Sequence, residues 1–288
     1  MPVDDVTSFF ENKNRGYSSI TNTSHSTVTT INYDNGVRYV RIEPPGDGWV
    51  AGENASGKRV SLCEYTKVKL LEKDNGRVYF RLLDGNCEEV GNILSMKEKG
   101  AVQYLHRGKR EAGINIEVID FEIVDNVRSV QRGNEKLSQR TGVINFSGLS
   151  IPVTLSTITY NPSSALNWRY SPLPVGIHKL KAPDYPHIGG YSAFYRVNES
   201  IPQFDLVWFR IECDALARYL HMGHVSEGCL TVVNINAWEA LYHKIICCRS
   251  DGNNTDIPGG GMYIGQITVI KRPANLPFSN SLRDLSSY

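Results

Sequence analysis

Short runs of alternating apolar and polar residues, separated by turn residues, dominate the chain from Val37 onward. In the stretch 66–85, TKVKLLEKDNGRVYFRLLDG, two β-prone runs flank Asp74-Asn75-Gly76. Asn-Gly supplies the positive φ angles that a tight turn requires, so this stretch predicts a β-hairpin. Further β-branched runs over 110–124 and 141–160 extend the same pattern. The chain is therefore predicted to be mainly β.

One helix is predicted near residue 240. Trp238, Leu241, Tyr242 and Ile245 recur at the spacing of a single helix face. Asn234 or Asn236 precedes them and is a suitable N-cap. The apolar run LTVV at 230–233 predicts a strand before this helix, and GGGMYIGQITVIKR at 259–272 predicts a last strand after it.

Changes in composition divide the chain into four predicted segments. Residues 1–36 are rich in Ser, Thr and Asn and are expected to form a flexible arm. Residues 37–110 predict a small, SH3-like β-barrel that serves binding or delivery. A larger β domain with one or two helices is expected over 111–275, and the polar segment 276–288 is expected to be a loosely held tail.

The balance of charge excludes some partners. The 288 residues carry 31 basic and 30 acidic side chains, a net charge of +1, so neither nucleic acid nor an anionic membrane is indicated. No apolar run approaches the roughly 18 residues of a membrane span. The first residues include acids and lack an apolar core, so no signal peptide is expected. The protein is expected to stay in the cytoplasm or to leave it by a route without a cleaved signal.

Six cysteines are scattered along the chain, too far apart to form the framework of a small disulfide-rich domain. Cys63 and Cys87 flank the predicted hairpin and are candidates for pairing in an oxidising compartment. Cys247 and Cys248 are interpreted as small residues near the end of the predicted helix.

Candidate chemistry is concentrated at 221–232, HMGHVSEGCLTV. A cysteine becomes a nucleophile when a neighbouring imidazole or backbone amides stabilise its thiolate. Gly228 allows a tight turn before Cys229, and the amides of residues 227–229 are candidates for an oxyanion hole. His221 is the candidate base, and His224 competes with it.

A zinc site is the alternative chemistry for the same segment. His221, His224 and Cys229 supply three candidate ligands, but a structural zinc ion needs four. Cys247 and Cys248 are poorly suited to complete the set, because neighbouring side chains point apart. Neither a metal nor a cofactor is therefore predicted.

The segment resembles the active-site signature of L,D-transpeptidases, the YkuD-type catalytic domain, in which a His-Gly element precedes Ser-His-Gly-Cys and an apolar strand. SPLPVGIHKL at 171–180 resembles the strand upstream of that signature, and NINAWEALY at 234–242 resembles the helix after it. The resemblance covers residues 112–275 and implies a mixed β-sandwich with one or two helices.

The resemblance also implies roles for individual residues. Cys229 matches the nucleophile, Gly228 and Ser226 match the motif residues before it, and His221 with Gly223 matches the His-Gly element. With Glu227, whose amide belongs to the candidate oxyanion hole, Cys229, His221, Gly228 and Ser226 form the predicted catalytic group. From the residues themselves, the candidate substrate-binding group is His224, Gly223, Arg218, Tyr219 and His187. Two positions depart from the family, since Glu227 replaces its motif histidine and Thr231 replaces its arginine.

By this resemblance, Cys229 would attack the carbonyl of the third residue of a peptidoglycan stem peptide. His221 would take the thiol proton and return it to the leaving D-amino acid. The thioester would then pass to an amine or to water. The lack of a signal peptide suggests an antibacterial effector that acts in the periplasm or cell wall, with an immunity or delivery protein as partner.

Two other functions stay open. Glu227 and Thr231 favour a non-catalytic cell-wall binding protein with a degenerate site. A cysteine acyltransferase or hydrolase that acts on a substrate outside the wall is also compatible with the thiol and histidine.

Overall fold

A computed structural model describes residues 36–44, 46–132, 135–159, 167–168, 171–187, 203–214, 216–251 and 257–272. The predicted arm, apart from Gly36, and the predicted tail lie outside these ranges. The described residues all belong to one compact unit. Across these ranges the chain forms eighteen strands and two helices, so the prediction of a mainly β protein is confirmed. Neither helix is long and apolar enough to cross a membrane.

The first sheet is antiparallel and has seven strands. In chain order they are β1 (Val37–Val40), β2 (Trp49–Glu53), β3 (Arg59–Cys63), β4 (Lys67–Asp74), β5 (Arg77–Leu82), β6 (Ile93–Lys97) and β7 (Leu105–His106). Their order in the sheet is β3-β2-β6-β5-β4-β1-β7. The short helix α1 (Glu98–Tyr104), which the sequence analysis did not predict, connects β6 to β7.

The predicted hairpin is confirmed as the pair β4–β5. Asp74 and Arg77 face each other across the two-residue turn. Asn75 has a φ angle of 47° and Gly76 one of 70°, the left-handed geometry that Asn-Gly tolerates. The alternating residues Val78, Phe80 and Leu82 are fully buried in the core of this sheet.

The second sheet contains the candidate chemistry. Its strands are β9 (Ile114–Arg132), β10 (Glu135–Phe146), β11 (Leu149–Thr159), β12 (Asn167–Trp168), β13 (Gly176–Lys181), β14 (Phe209–Glu212), β15 (Arg218–Met222), β16 (Leu230–Val232) and β18 (Tyr263–Lys271). Their order is β10-β9-β18-β13-β14-β15-β16-β11-β12, and β10 also pairs with β11. That pairing closes eight strands into a barrel, with β12 beside β11.

Helix α2 (Ile235–Ile245) follows β16 and confirms the sequence prediction. The Asn234 side chain accepts a hydrogen bond from the Ala237 amide at 2.9 Å, which identifies Asn234 as the N-cap. The predicted apolar face, Trp238, Leu241, Tyr242 and Ile245, is buried in the same core as the barrel strands. The helix thus covers one face of the sheet that contains β15 and β16.

The two sheets are joined at a buried junction. Two short parallel strands, β8 (Glu111–Ala112) and β17 (Cys248–Arg249), pair just after Arg110. The Arg110 side chain is only 1% exposed and forms an ion pair with Asp84, which is equally buried. Its Nε also donates to the carbonyl of Tyr65 at 2.9 Å. The segment around Arg110, between the two sheets, is therefore fixed to the first sheet.

Candidate active site

Cys229 lies directly before β16, which pairs with the parallel strand β15. In this ladder Leu220 pairs with Leu230, and His221 pairs with Thr231. Both leucines lie in the hydrophobic core. Because side chains alternate along a strand, His221 and Thr231 lie on the other face. Cys229, two residues before Thr231, lies at the same end as Tyr219.

The loop that leads to Cys229 is held by hydrogen bonds at Ser226, which is fully buried. Its amide donates to Gln139 Oε1 at 2.9 Å, and its carbonyl accepts from the hydroxyl of Thr157. Its own hydroxyl donates to the Cys229 carbonyl at 2.6 Å. Gly228 has a φ angle of 95°, which a residue with a side chain rarely adopts. Ser226 thus fixes the turn that presents the thiol.

Arg218 holds the same loop from the other side. Its Nη1 donates to the Gly228 carbonyl at 2.6 Å and to the Ser171 carbonyl at 2.7 Å. Its Nε donates to Asp214 Oδ2 at 2.9 Å. The side chain is 3% exposed. Arg218 therefore connects the upstream segment 171–180 to the turn before Cys229, and a substrate would have to displace one of these acceptors to contact it.

The backbone around the thiol has free donors. Of the described residues, none accepts a hydrogen bond from the amide of Gly228 or of Cys229. Two neighbouring amides next to a nucleophile are the composition of an oxyanion hole. The oxyanion hole itself stays a prediction.

The Cys229 thiol is half-buried and protonated at neutral pH. Burial raises the pKa of the thiol, and the carboxylate of Glu227 adds to the rise. The backbone amide of Tyr219 and the guanidinium of Arg218 oppose it. Since thiolate is the reactive form, the resting site needs a base or a bound substrate to activate it.

His221 is a neutral histidine whose two ring nitrogens both have hydrogen-bond partners. Its Nδ1 lies 2.8 Å from the carbonyl of Met222, so Nδ1 carries the hydrogen. Nε2 therefore accepts the hydroxyl of Thr231 at 3.3 Å. Burial, with a smaller effect of the nearby His187, lowers the pKa of His221 to about 4, although the hydrogen bond to the Met222 carbonyl acts in the opposite direction. A neutral imidazole of this kind can receive a proton.

His221 belongs to a stack of rings. The indole of Trp208 lies between His221, at 4.0 Å, and His187, at 4.4 Å. His187 Nε2 lies 3.0 Å from Asp184 Oδ1, and the hydroxyl of Tyr219 donates to the other oxygen of Asp184 at 3.5 Å. Three predicted site residues, His221, His187 and Tyr219, are thus brought together.

Sequence reasoning missed three members of this site: Trp208, Asp184 and Thr231 as a partner of His221. Asp184 stands three residues before His187, a spacing that offers a weak signal. The contact of Thr231 with His221 depends on the register of β15 and β16, and no local pattern indicates the position of Trp208.

The remaining predicted residues lie around the turn. The amide of Gly223 donates to the carbonyl of Val232 at 3.0 Å, which ends the β15–β16 ladder. His224 and Glu227 are half-buried in the loop, and their roles stay predictions. Within the described ranges no group of three or more His, Cys, Asp or Glu side chains is placed to hold a metal ion. His221, His224 and Cys229, the alternative zinc ligands, do not form such a group either.

Comparisons with models of known protein families, with curated proteins and with solved structures found no match to this chain. The resemblance to L,D-transpeptidases therefore depends on the motif residues and their order.

Proposed function

We propose that the chain is a cysteine-dependent acyl transferase that acts on peptidoglycan stem peptides. The observation that carries the proposal is the position of Cys229 directly before β16, next to backbone amides for which no described residue is an acceptor, and beside the strand that bears His221. The order of elements supports it, since a strand, the thiol turn, a second strand and a capped helix follow one another. The proposal includes a YkuD-type fold for the barrel and α2.

In the proposed reaction, the substrate carbonyl binds with its oxygen toward the amides of Gly228 and Cys229. The thiol proton passes to Nε2 of His221, directly or through the hydroxyl of Thr231, as sulfur attacks the carbonyl carbon. Collapse of the tetrahedral intermediate breaks the peptide bond, and His221 returns the proton to the departing amine of the D-amino acid. The thioester at Cys229 is then attacked by an amine or by water.

The acceptor decides the outcome. Attack by the amine of a second stem peptide gives a crosslink, attack by a free D-amino acid gives exchange, and attack by water gives carboxypeptidase action. As part of the proposal, the protein acts in the periplasm or cell wall as an antibacterial effector. The first sheet then serves wall binding or delivery, and an immunity protein is the expected partner.

A second candidate function is binding to the cell wall without catalysis. The raised pKa of the Cys229 thiol and the lowered pKa of His221 favour it, because together they describe a neutral pair instead of an activated thiolate. In that case the turn at Ser226–Cys229 would be a remnant of an active site.

Incubation with stem tetrapeptide, followed by mass spectrometry of the products, tests the proposal. We expect the wild-type chain to release or exchange the terminal D-amino acid and Cys229→Ala to be inactive. Cys213→Ser is the control, because Cys213 is also a half-buried thiol with a raised pKa, here about 11, but it lies outside the motif 221–229. If Cys229→Ala turned over substrate as fast as the wild-type chain, Cys229 would not be the nucleophile. Binding of peptidoglycan by an inactive wild-type chain would favour the second candidate.

A further inference from the structure

A row of polar side chains extends from the site across three neighbouring strands. Tyr219 on β15 pairs with Arg210 on β14. Two residues later on β14, Glu212 pairs with Lys179 on β13, which in turn pairs with Gln266 on β18. Cross-strand partners share a face of a sheet, as do alternate residues of one strand. These side chains therefore lie on the face of Tyr219 and His221.

The row carries positive charge. Lys181 is the cation of an ion pair with Glu212, at 2.5 Å, so these two charges offset each other. Lys179 and Arg210 are exposed, and within the described residues neither forms an ion pair at 4 Å or less, although Lys179 faces Glu212 and helps to lower its pKa. Asp184, the carboxylate next to Tyr219, is engaged by His187. Two cations on this face are therefore available to a ligand.

The far end of the row opens into a cleft of about 540 Å³. Tyr263, Gln266, Asn115 and Ser250 line it together with Lys179. The Lys179 ammonium group lies 5.0 Å from the centre of the Tyr263 ring, which orients the cation at the rim. Amide and hydroxyl groups around a cation are suited to bind the carbonyls, amides and carboxylates of a peptide.

The length of the row sets the length of the peptide. Four strand spacings from β16, next to Cys229, to β18 amount to about 19 Å, and an extended peptide covers that distance with about six residues. A chain with its reacting carbonyl at Cys229 would thus place its neighbouring residues toward Arg210 and Lys179, and a peptide of about six residues would also reach the cleft.

We propose that this row, the cationic track (Lys179, Lys181, Arg210, Tyr263 and Gln266), binds a peptide that carries free carboxylate groups. The inference rests on the proposed function in one respect, namely that the reacting end of the peptide lies at Cys229. Binding to the cationic track itself follows from the contacts above. Lys179 and Arg210 bind the carboxylates, and the amide groups of the cleft bind the peptide backbone.

Fluorescence anisotropy with the inactive Cys229→Ala chain tests the proposal. The probe is a dye-labelled stem tetrapeptide with free carboxylates, and the comparison probe is the same peptide with its carboxylates amidated. We expect Lys179→Gln with Arg210→Gln to weaken binding of the acidic probe about tenfold, since each exposed charge contact contributes modestly. Added salt should weaken it as well. The amidated probe should bind weakly and be insensitive to both changes.

Lys244→Gln is the matched control, because Lys244 is an exposed lysine on α2, away from the cationic track. An unchanged affinity of the double variant for the acidic probe, or an equal loss in Lys244→Gln, would overturn the proposal. If polygalacturonate displaced the probe at lower concentrations than the unlabelled acidic peptide does, the cationic track would be a polysaccharide site. That result would also overturn the proposal.

Failure of the inference and failure of the proposed function are distinguishable. Binding that depends on Lys179 and Arg210, in a chain without turnover, would sustain the cationic track and reject the enzyme. Turnover of the acidic tetrapeptide with an unchanged KM in the double variant would sustain the enzyme and reject the cationic track.

Discussion

His221 and Thr231 are neighbours on parallel strands, and the hydroxyl of Thr231 donates to Nε2 of His221 at 3.3 Å. Nδ1 of His221 carries the ring hydrogen, because it donates to the carbonyl of Met222. Nε2 therefore carries no hydrogen and accepts the hydroxyl of Thr231. The ring is further held against Trp208. The position that departs from the L,D-transpeptidase motif, Thr231, thus orients the candidate base.

The pH dependence of turnover tests the role of His221. Because its pKa is lowered to about 4, the imidazole is unprotonated throughout the neutral range. If the chain has the proposed activity, we expect kcat/KM of the wild-type chain to fall on the acid side near pH 4, well below the usual 6.5 of a histidine. His221→Ala should lower turnover at least about 100-fold, the contribution of a general base.

Thr231→Val and His224→Ala are the comparison variants. Loss of the Thr231 hydroxyl should shift the acid limb while turnover persists, since the base itself remains. An acid limb between pH 6 and 7 that disappears in His224→Ala would transfer the role of base to His224.

Cys247 should be alkylated before Cys229. The two neighbouring thiols of Cys247 and Cys248 lie 3.9 Å apart, and the hydrogen bond from Cys248 lowers the pKa of Cys247 to about 7. Burial raises the pKa of Cys229 instead. With iodoacetamide at pH 7.5, peptide mass spectrometry should therefore find label on Cys247 first.

The Cys247→Ser chain is the background in which Cys229 should be studied. In that chain the rate at Cys229 should rise with pH toward the raised pKa of the thiol. Faster labelling of Cys229 than of Cys247 in the wild-type chain would contradict the order and would indicate an activated thiolate at the site.

Local features of this chain were readable from its sequence, and long-range contacts were not. The Asn75-Gly76 turn and the cap at Asn234 depend on residues within a few positions of each other, so their patterns predict the structure directly. Arg218 contacts Ser171, which lies 47 positions earlier in the chain. Periodicity contains no information about such a pair.

The same distinction applies to the candidate site. The thiol, the glycine and the histidine form one continuous motif, 221–229, that the sequence displays. Trp208 is brought to His221 only when β14 and β15 pair, and Gln139 reaches Ser226 across 87 positions. These supporting contacts depend on closure of the barrel.

The junction between the sheets should depend on the ion pair of Arg110 and Asp84. Arg110→Ala leaves the Asp84 carboxylate buried without its guanidinium partner, which should lower the free energy of unfolding by about 3–5 kcal/mol. Urea denaturation measures the change. Lys109→Ala is the control, because Lys109 is exposed in the same segment and should have little effect.

Trypsin provides an independent readout of this junction. In the wild-type chain the enzyme should cut after the exposed Arg107 or Lys109 and spare Arg110. In the Asp84→Asn chain, where the ion pair is lost, cleavage after Arg110 should appear. Cleavage at Arg110 in the wild-type chain would contradict the burial of its side chain.

The stability of the fold should depend on pH through His221. Its pKa is lowered from the ordinary 6.5 to about 4, so between these values the unfolded chain binds a proton that the folded chain does not. The free energy of unfolding should therefore rise with pH from 4 to 6.5 and be flat above that window, as far as His221 contributes. The full contribution is on the order of 3 kcal/mol.

Urea denaturation of His221→Gln at several pH values should show a shallower rise than the wild type. His106→Gln, a change at an exposed histidine, should keep the wild-type slope, and an unchanged slope in His221→Gln would show that His221 is not the buried neutral group.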